Sequence, residues 1–299
     1  MTQRRRHETK MAANPKHLDP RALVGKGLQD IPTLPEIVLK VLEATENPNV
    51  TCSQIEGLLK SDEAIATKIL KVVNSAYYGL SRPVGSISQG CVIIGFQQVR
   101  KLILGLSAVS LFKARSARMR EALDDFWHHS CSAAVGASMI MQDKGFSPDV
   151  AETAYMAGLL HDIGQVFLAA TLDVYYLEVL RRTEITKANI VDVERSLMKV
   201  DHLEVGRELS KAWNLPDWIC EAITRHHGPL RLDDAPYLLA VHIGDQVPTA
   251  TEEATFEDYL ANTDPVARSW AGFDESAWSD YCLRTQETVL GMAEALGIG

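Results

Sequence analysis

The sequence predicts an all-α chain. Three observations carry that expectation. From about residue 25 onward, apolar residues recur at helical spacing almost throughout. No sustained two-residue alternation is bounded by hairpin turns, so a sheet is not indicated. Gly, Pro, Ser and Asn interrupt the helical stretches where connections are needed.

The elements follow in order. Residues 1–24 read as a polar, basic tail containing Pro15 and Pro20. Leu34, Val38, Val41 and Leu42 share one helix face, as do Ile65, Ile69, Val72 and Val73. Thr51 and Gln54 form a capping box, and Ser61 is placed to cap the next helix. Residues 74–88, NSAYYGLSRPVGSIS, are a loop by composition. A helix spans about Phe96 to Leu111, and another begins near Leu123. In the latter, Ala133, Ala134, Gly136 and Ala137 leave room for a neighbouring helix to come close. AETAYMAGLLHDIGQVFLAA reads as a single helix, apolar all round. Three more helices are expected, with turns near Asn189, Asn214-Leu215-Pro216 and Gly228-Pro229. Thr263-Asp264-Pro265 starts a helix in an acidic C-terminal segment that carries Trp270, Trp278 and Tyr281. The resulting division is a tail (1–24), two helical lobes (25–115 and 116–250) and an acidic helical extension (251–299) packed on one of them.

Composition narrows the function. The net charge is −9, from 30 basic and 39 acidic residues, which disfavours nucleic-acid and membrane-surface partners. The basic stretch Arg100, Lys101, Lys113, Arg115, Arg118 and Arg120 reads first as a solvated helix face. Five cysteines without a C-x-x-C pair suit a reducing cytoplasm rather than a disulfide framework. The most apolar stretch, Leu102 to Phe112, is too short to span a bilayer. No receiver or other sensor module is legible, so a signal is expected to arrive by binding another molecule.

His161-Asp162 stands out because it sits in an apolar helix. A buried carboxylate costs several kcal/mol unless a partner or a metal compensates it. Neighbouring helix positions point about 100° apart, yet both can reach an ion at the helix surface between them. His129, His202, His226, His227 and Asp245 lie on other expected helices. Imidazole and carboxylate together suit Fe, Zn or Mn rather than Mg or Ca. Each residue also has a plainer reading. His226 and His227 suit a helix C-terminus, His202 beside Asp201 suits a helix start, and His242 could bond Asp245 three residues on. Asn74-Ser75 and Tyr77-Tyr78 could hold a ligand between the lobes, though shaping the loop and packing its rings is the first reading.

The order His, then HD, then spaced His residues and a distant Asp resembles the HD superfamily. Its ligand pattern is most similar to the HD-GYP phosphodiesterases. That resemblance implies one ion held by His129, His161, Asp162 and Asp245, and a second by Asp162, His202, His226 and His227. Two features of those enzymes are missing. Gln165 stands where they have a basic residue, and GPLRLDDAPY replaces their D-G-x-G-Y-P segment. Both help bind the cyclic dinucleotide, so the resemblance does not imply that substrate. The N-terminal half, with IPTLPE, DEAIATKILKVVNS, YYGLSRPVGSI and IIGFQQVRKLIL, resembles the HDOD domain. The likeness continues through FWHHS and LLHDIG to about residue 228. It implies a two-lobed helical architecture with an HD-like lobe, in a bacterial signalling module without established catalysis.

Four functions are therefore in play. The first is a regulatory module whose one or two transition-metal ions are structural or sensory, with a protein partner in a signalling pathway. The second is a metal-dependent phosphohydrolase acting on a nucleotide or other phosphoester, with Asp162 bridging the ions. The third is a di-iron oxygenase. The fourth is an adaptor that holds no metal.

Overall fold

The computed structural model describes residues 19–296 except 46, 48, 61, 76, 113 and 250–254. The expected tail therefore lies outside the described residues up to residue 18. Its last part is helical, because Asp19 caps a helix that starts at Pro20. Six helices build the first half: α1 (Pro20–Gln29), α2 (Glu36–Ala44), α3 (Cys52–Leu59), α4 (Glu63–Val73), α5 (Ile87–Ile94) and α6 (Phe96–Leu111). The long α7 (Ala117–Asp143) leads into α8 (Pro148–Leu160), α9 (Ile163–Leu172), α10 (Val174–Thr186) and α11 (Ile190–Met198). Then come α12 (His202–Ala212), α13 (Asp217–Arg225) and α14 (Pro236–Asp245). The C-terminal segment forms α15 (Phe256–Asn262), α16 (Pro265–Ala271) and α17 (Glu275–Leu296). The fold is all-α, with no strand among the described residues.

Local chemistry explains most boundaries. Thr51 and Gln54 satisfy each other's backbone N–H groups in a complete capping box. Ser61 lies outside the described residues, and Asp62 caps α4 by accepting from Ile65 N. Asp264 caps α16, with Pro265 at its first position. α7 starts six residues before the expected Leu123, because the Ser116 hydroxyl caps it at Met119 N.

The apolar faces read from the sequence are buried. Leu34, Val38 and Val41 on the first, and Ile65, Ile69, Val72 and Val73 on the second, are all at most 6% exposed. They join one continuous apolar core that runs on through Leu102, Met119 and Leu160 to Ile223. A second cluster lies under the C-terminal helices, where Tyr259 stacks on Trp278 at 4.3 Å. All five cysteines are free.

α7 is the axis on which the second half packs, with α8, α14 and α17 lying along it. Its small residues do what their sizes suggest. A Cβ on Gly158 of α8 would stand 2.8 Å from Ala133 O, and one on Gly244 of α14 only 2.4 Å from it. Backbone therefore meets backbone on both sides of α7. The loop after α4 is clamped rather than left open for a ligand. Asn74 Nδ2 donates to Val84 O at 2.9 Å, and its Oδ1 accepts from Val84 N at 2.7 Å. Tyr77 and Tyr78 reach across to α8, where both hydroxyls donate to buried Glu152. Of the basic stretch, Lys101 turns onto Asp149 O and Thr153 of α8. Lys113 lies outside the described residues.

Candidate metal centre

The sequence reading put His161-Asp162 inside one helix. Instead the chain breaks there: His161 ends α8 and Asp162 precedes α9. Asp162 has φ −101° and ψ 18°, the bridge region where helical hydrogen bonding lapses. The break frees the two side chains from the fixed helical angle, so both turn toward one point. The same stretch also holds one helix more than expected before Gly228, because Val200-Asp201 separates α11 from α12.

The seven predicted ligands come from five places. His129 is on α7, His161-Asp162 lies between α8 and α9, and His202 opens α12. His226-His227 follow α13, and Asp245 ends α14. Asp162 divides the group. Its Oδ2 is 3.3 Å from His161 Nε2 and 3.8 Å from His129 Nε2, and those imidazoles lie 3.1 and 3.0 Å from Asp245 Oδ1. Its Oδ1 is 3.3 Å from His226 Nε2 and 3.6 Å from His202 Nε2. His227 Nε2 stands 3.2 Å from His202 Nε2. Two four-residue sets thus share one carboxylate, and within each set the candidate ligand atoms lie within 4.8 Å of one another.

Second partners set the imidazole tautomers. His161 Nδ1 donates to Gly158 O at 2.6 Å. His226 Nδ1 lies 3.1 Å from both Ala222 O and Ile223 O. His202 Nδ1 donates to Glu194 Oε2 at 2.7 Å. A carbonyl or carboxylate oxygen only accepts, so the proton is on Nδ1 and Nε2 faces the cluster. Asp162 Oδ1 and His226 Nε2 are buried with no hydrogen-bond partner, although they face each other. That is the signature of a cluster with room for a cation.

Electrostatics point the same way. Burial opposes the charge on Asp162 and Asp245, yet the surrounding imidazoles hold both carboxyls well below their usual range. Burial likewise opposes a charged His161, but Asp162 and Asp245 outweigh it and raise its pKa well above the ordinary imidazole value. Burial and then His226 push His227 down to about 2, so its imidazole is neutral at any physiological pH. The carboxylates need positive charge beside them, which a proton or a metal ion supplies.

His242 does not bond Asp245. Its Nδ1 donates to His226 O, while its Nε2 accepts from Asp264 N at 2.8 Å. It thereby ties the double-His segment to the C-terminal extension. Gln165, noticed in the sequence only as a departure, donates from Nε2 to Asp162 Oδ2 at 2.6 Å. Glu194 escaped notice, although Val191, Glu194 and Met198 share one face of α11 and a carboxylate among buried apolar residues is itself a signal. Glycines set the approach of α12 to α9 and to α13. A Cβ on Gly164 would fall 2.0 Å from His202 O, and one on Gly206 2.4 Å from Ile223 Cγ2.

Residues 31–229 match the HDOD domain. The chain belongs to the HDOD domain family. A curated relative, an uncharacterized protein of Treponema pallidum (strain Nichols), is 28% identical over 209 residues, 69% of this HDOD chain. That stretch is only 39% of the relative's own length. Solved structures agree in fold. An HDOD domain protein of unknown function from Geobacter sulfurreducens superposes with a TM-score of 0.68 at 23% identity, over 93% of this chain and 97% of that one. A candidate phosphohydrolase from Shewanella amazonensis SB2B gives 0.69 at 19% identity, over 92% and 98%. A candidate signal-transduction protein from Marinobacter aquaeolei VT8 gives 0.68 at 19%, over 93% and 66%. No helix among the described residues is long and apolar enough to cross a membrane.

Proposed function

We propose that this HDOD protein is a cytoplasmic signalling module that carries a resident two-ion transition-metal site and acts through a protein partner. One observation carries the reading: Asp162 presents one oxygen to each of two imidazole-containing sets. His129, His161, Asp162 and Asp245 would hold the first ion, and Asp162, His202, His226 and His227 the second. Fe, Zn and Mn suit this donor set. His161, His202 and His226 are fully buried and Asp162 is 3% exposed. Such enclosure favours an ion held for structure or sensing over one that meets substrate at each turnover.

Elemental analysis of protein purified without added metal tests the reading. One or two equivalents of Fe, Zn or Mn are expected, with His161→Ala and Asp162→Ala both depleted. Less than about half an equivalent, with His161→Ala as stable as the parent, returns the chain to the metal-free adaptor.

The phosphohydrolase reading has one observation of its own. The His129 side chain is 27% exposed, which opens the first set to solvent. Bound ions there would lower the pKa of a water and clamp a phosphoryl oxygen. His129 and Asp245 would then flank the entry, and Asp162 would keep the two sets in register. Release of phosphate or nucleotide from a phosphoester panel by metal-loaded protein, abolished in Asp162→Ala, is the result that would favour it.

A further inference from the structure

We infer that Gln165, Tyr176 and Glu194 are positioning residues, a buried arc of hydrogen bonds that holds Asp162 and His202 ready for the second ion. The inference rests on the two-ion reading above. The arc can be followed atom by atom. Gln165 Nε2 donates to Asp162 Oδ2 at 2.6 Å. Tyr176 Oη lies 3.2 Å from Gln165 Oε1 and 2.6 Å from Glu194 Oε1. Glu194 Oε2 accepts from both N and Nδ1 of His202, at 2.9 and 2.7 Å. His202 Nε2 then returns to within 3.6 Å of Asp162 Oδ1. The ring closes across α9, α10, α11 and α12. Tyr176 and Glu194 are fully buried and Gln165 is 5% exposed.

Donor counting shows what the arc does. An ionised carboxylate only accepts, so the Gln165 amide has a single workable orientation, with nitrogen toward Asp162 and oxygen toward Tyr176. Tyr176 has one hydrogen to share between two acceptors, Glu194 Oε1 at 2.6 Å and Gln165 Oε1 at 3.2 Å. Gln165 donates to Asp162 Oδ2, the oxygen that also faces the first set, without bringing a charge. Asp162 Oδ1 is left unpartnered, buried and aimed at His226 Nε2, which is unpartnered too. Glu194 meanwhile fixes the His202 tautomer and ring plane through two bonds, and a carboxylate on Nδ1 raises the basicity of Nε2. A buried Glu, Tyr and Gln are costly to keep in an apolar interior, and orientation of the second set accounts for all three.

Apart from the Gln165 bond to the shared Asp162, the first set is held by other groups. His161 is fixed by Gly158 O, and Asp245 accepts from Gln246 Nε2 at 3.0 Å. Damage at the Tyr176–Glu194 end of the arc should thus weaken one ion and spare the other.

The test titrates metal-free protein with Co²⁺, following the visible d–d bands together with bound-metal stoichiometry. The parent should bind two equivalents. Glu194→Gln should keep one at parental affinity and bind the second about ten- to a hundred-fold more weakly, with its own band shifted. Tyr176→Phe, which removes a single oxygen, should do the same more mildly, and it serves the comparison if Glu194→Gln fails to fold. Unaltered binding of both equivalents in a folded variant, or equal weakening of both, overturns the arc while leaving the two-ion reading intact. A parent that binds no Co²⁺ overturns the two-ion reading and the arc with it.

Discussion

Glu152 is a carboxyl with two tyrosines on it and almost no water. It is 4% exposed, and Tyr77 and Tyr78 donate to its two oxygens. Burial raises its pKa to about 7, against the opposing pull of Lys101 and the two hydroxyls. The sign of the pH effect follows. Folding favours the protonated form, so the stabilisation is complete below the unfolded value of 4.5 and is lost as pH rises through about 7. The loss amounts to on the order of 3 kcal/mol, at about 1.4 kcal/mol per pKa unit. Urea unfolding at pH 5 and pH 8 should show it, and Glu152→Gln should flatten the difference. An equal slope in both proteins would contradict the assignment. At the cluster itself, His161-Asp162 was legible because a charged residue in an apolar segment demands an explanation, and the other five candidates through their resemblance to the HD-superfamily order. Glu152, Tyr176 and Glu194 obey the same logic, yet each is a single polar residue whose partner lies on another element.

At the scale of elements, small residues decide which helices touch. Gly164 and Gly206 bring α9 and α12 together, and Gly158 and Gly244 seat α8 and α14 on Ala133 of α7. Gly164→Ala would place a methyl against His202 O and must push α12 away. Overpacking of this kind costs about 1–3 kcal/mol, and more where backbone cannot yield. A lower melting temperature together with loss of bound metal is expected from Gly164→Ala. Gly57→Ala, where a Cβ meets nothing within 4 Å, should leave both unchanged or gain slightly from helix propensity. A metal-replete Gly164→Ala protein would detach this packing from the site. Helix type and the caps at Thr51 and Asp264 were readable here because propensity and capping act within a few residues. The break at His161-Asp162 was not, since LLHDIGQV has the apolar run of an unbroken helix.

An ion at the cluster would help hold the whole molecule together. The candidate ligands come from α7, α12, α14 and the ends of α8 and α13, so an ion there would staple segments that are more than a hundred residues apart in sequence. Ions that bind only the folded chain stabilise it, by about 2.7 kcal/mol at a hundred-fold excess over Kd. Chelation should therefore lower the melting temperature by several degrees, at about 2–4 °C per kcal/mol in a chain of this order of size. Asp162→Ala should melt near the chelated value and respond little to chelator. A parental midpoint indifferent to chelator would count against a resident ion. The C-terminal extension is coupled to the same place through Asp264, His242 and the backbone of His226.

By itself the sequence determined the all-α class, the apolar faces of two early helices, and the caps at Thr51 and Asp264. These rest on local rules, periodicity and capping, whereas the residues that gather at the cluster were legible as a set through their resemblance to the HD-superfamily order. Tertiary structure alone decided that Asp162 turns its two oxygens to different imidazole sets, that His242 serves a backbone carbonyl instead of Asp245, and that Gln165 supports a carboxylate. Those outcomes depend on how closely α7, α8, α9, α12 and α14 approach, and contact between helices is set by the whole packed core rather than by any one segment's pattern.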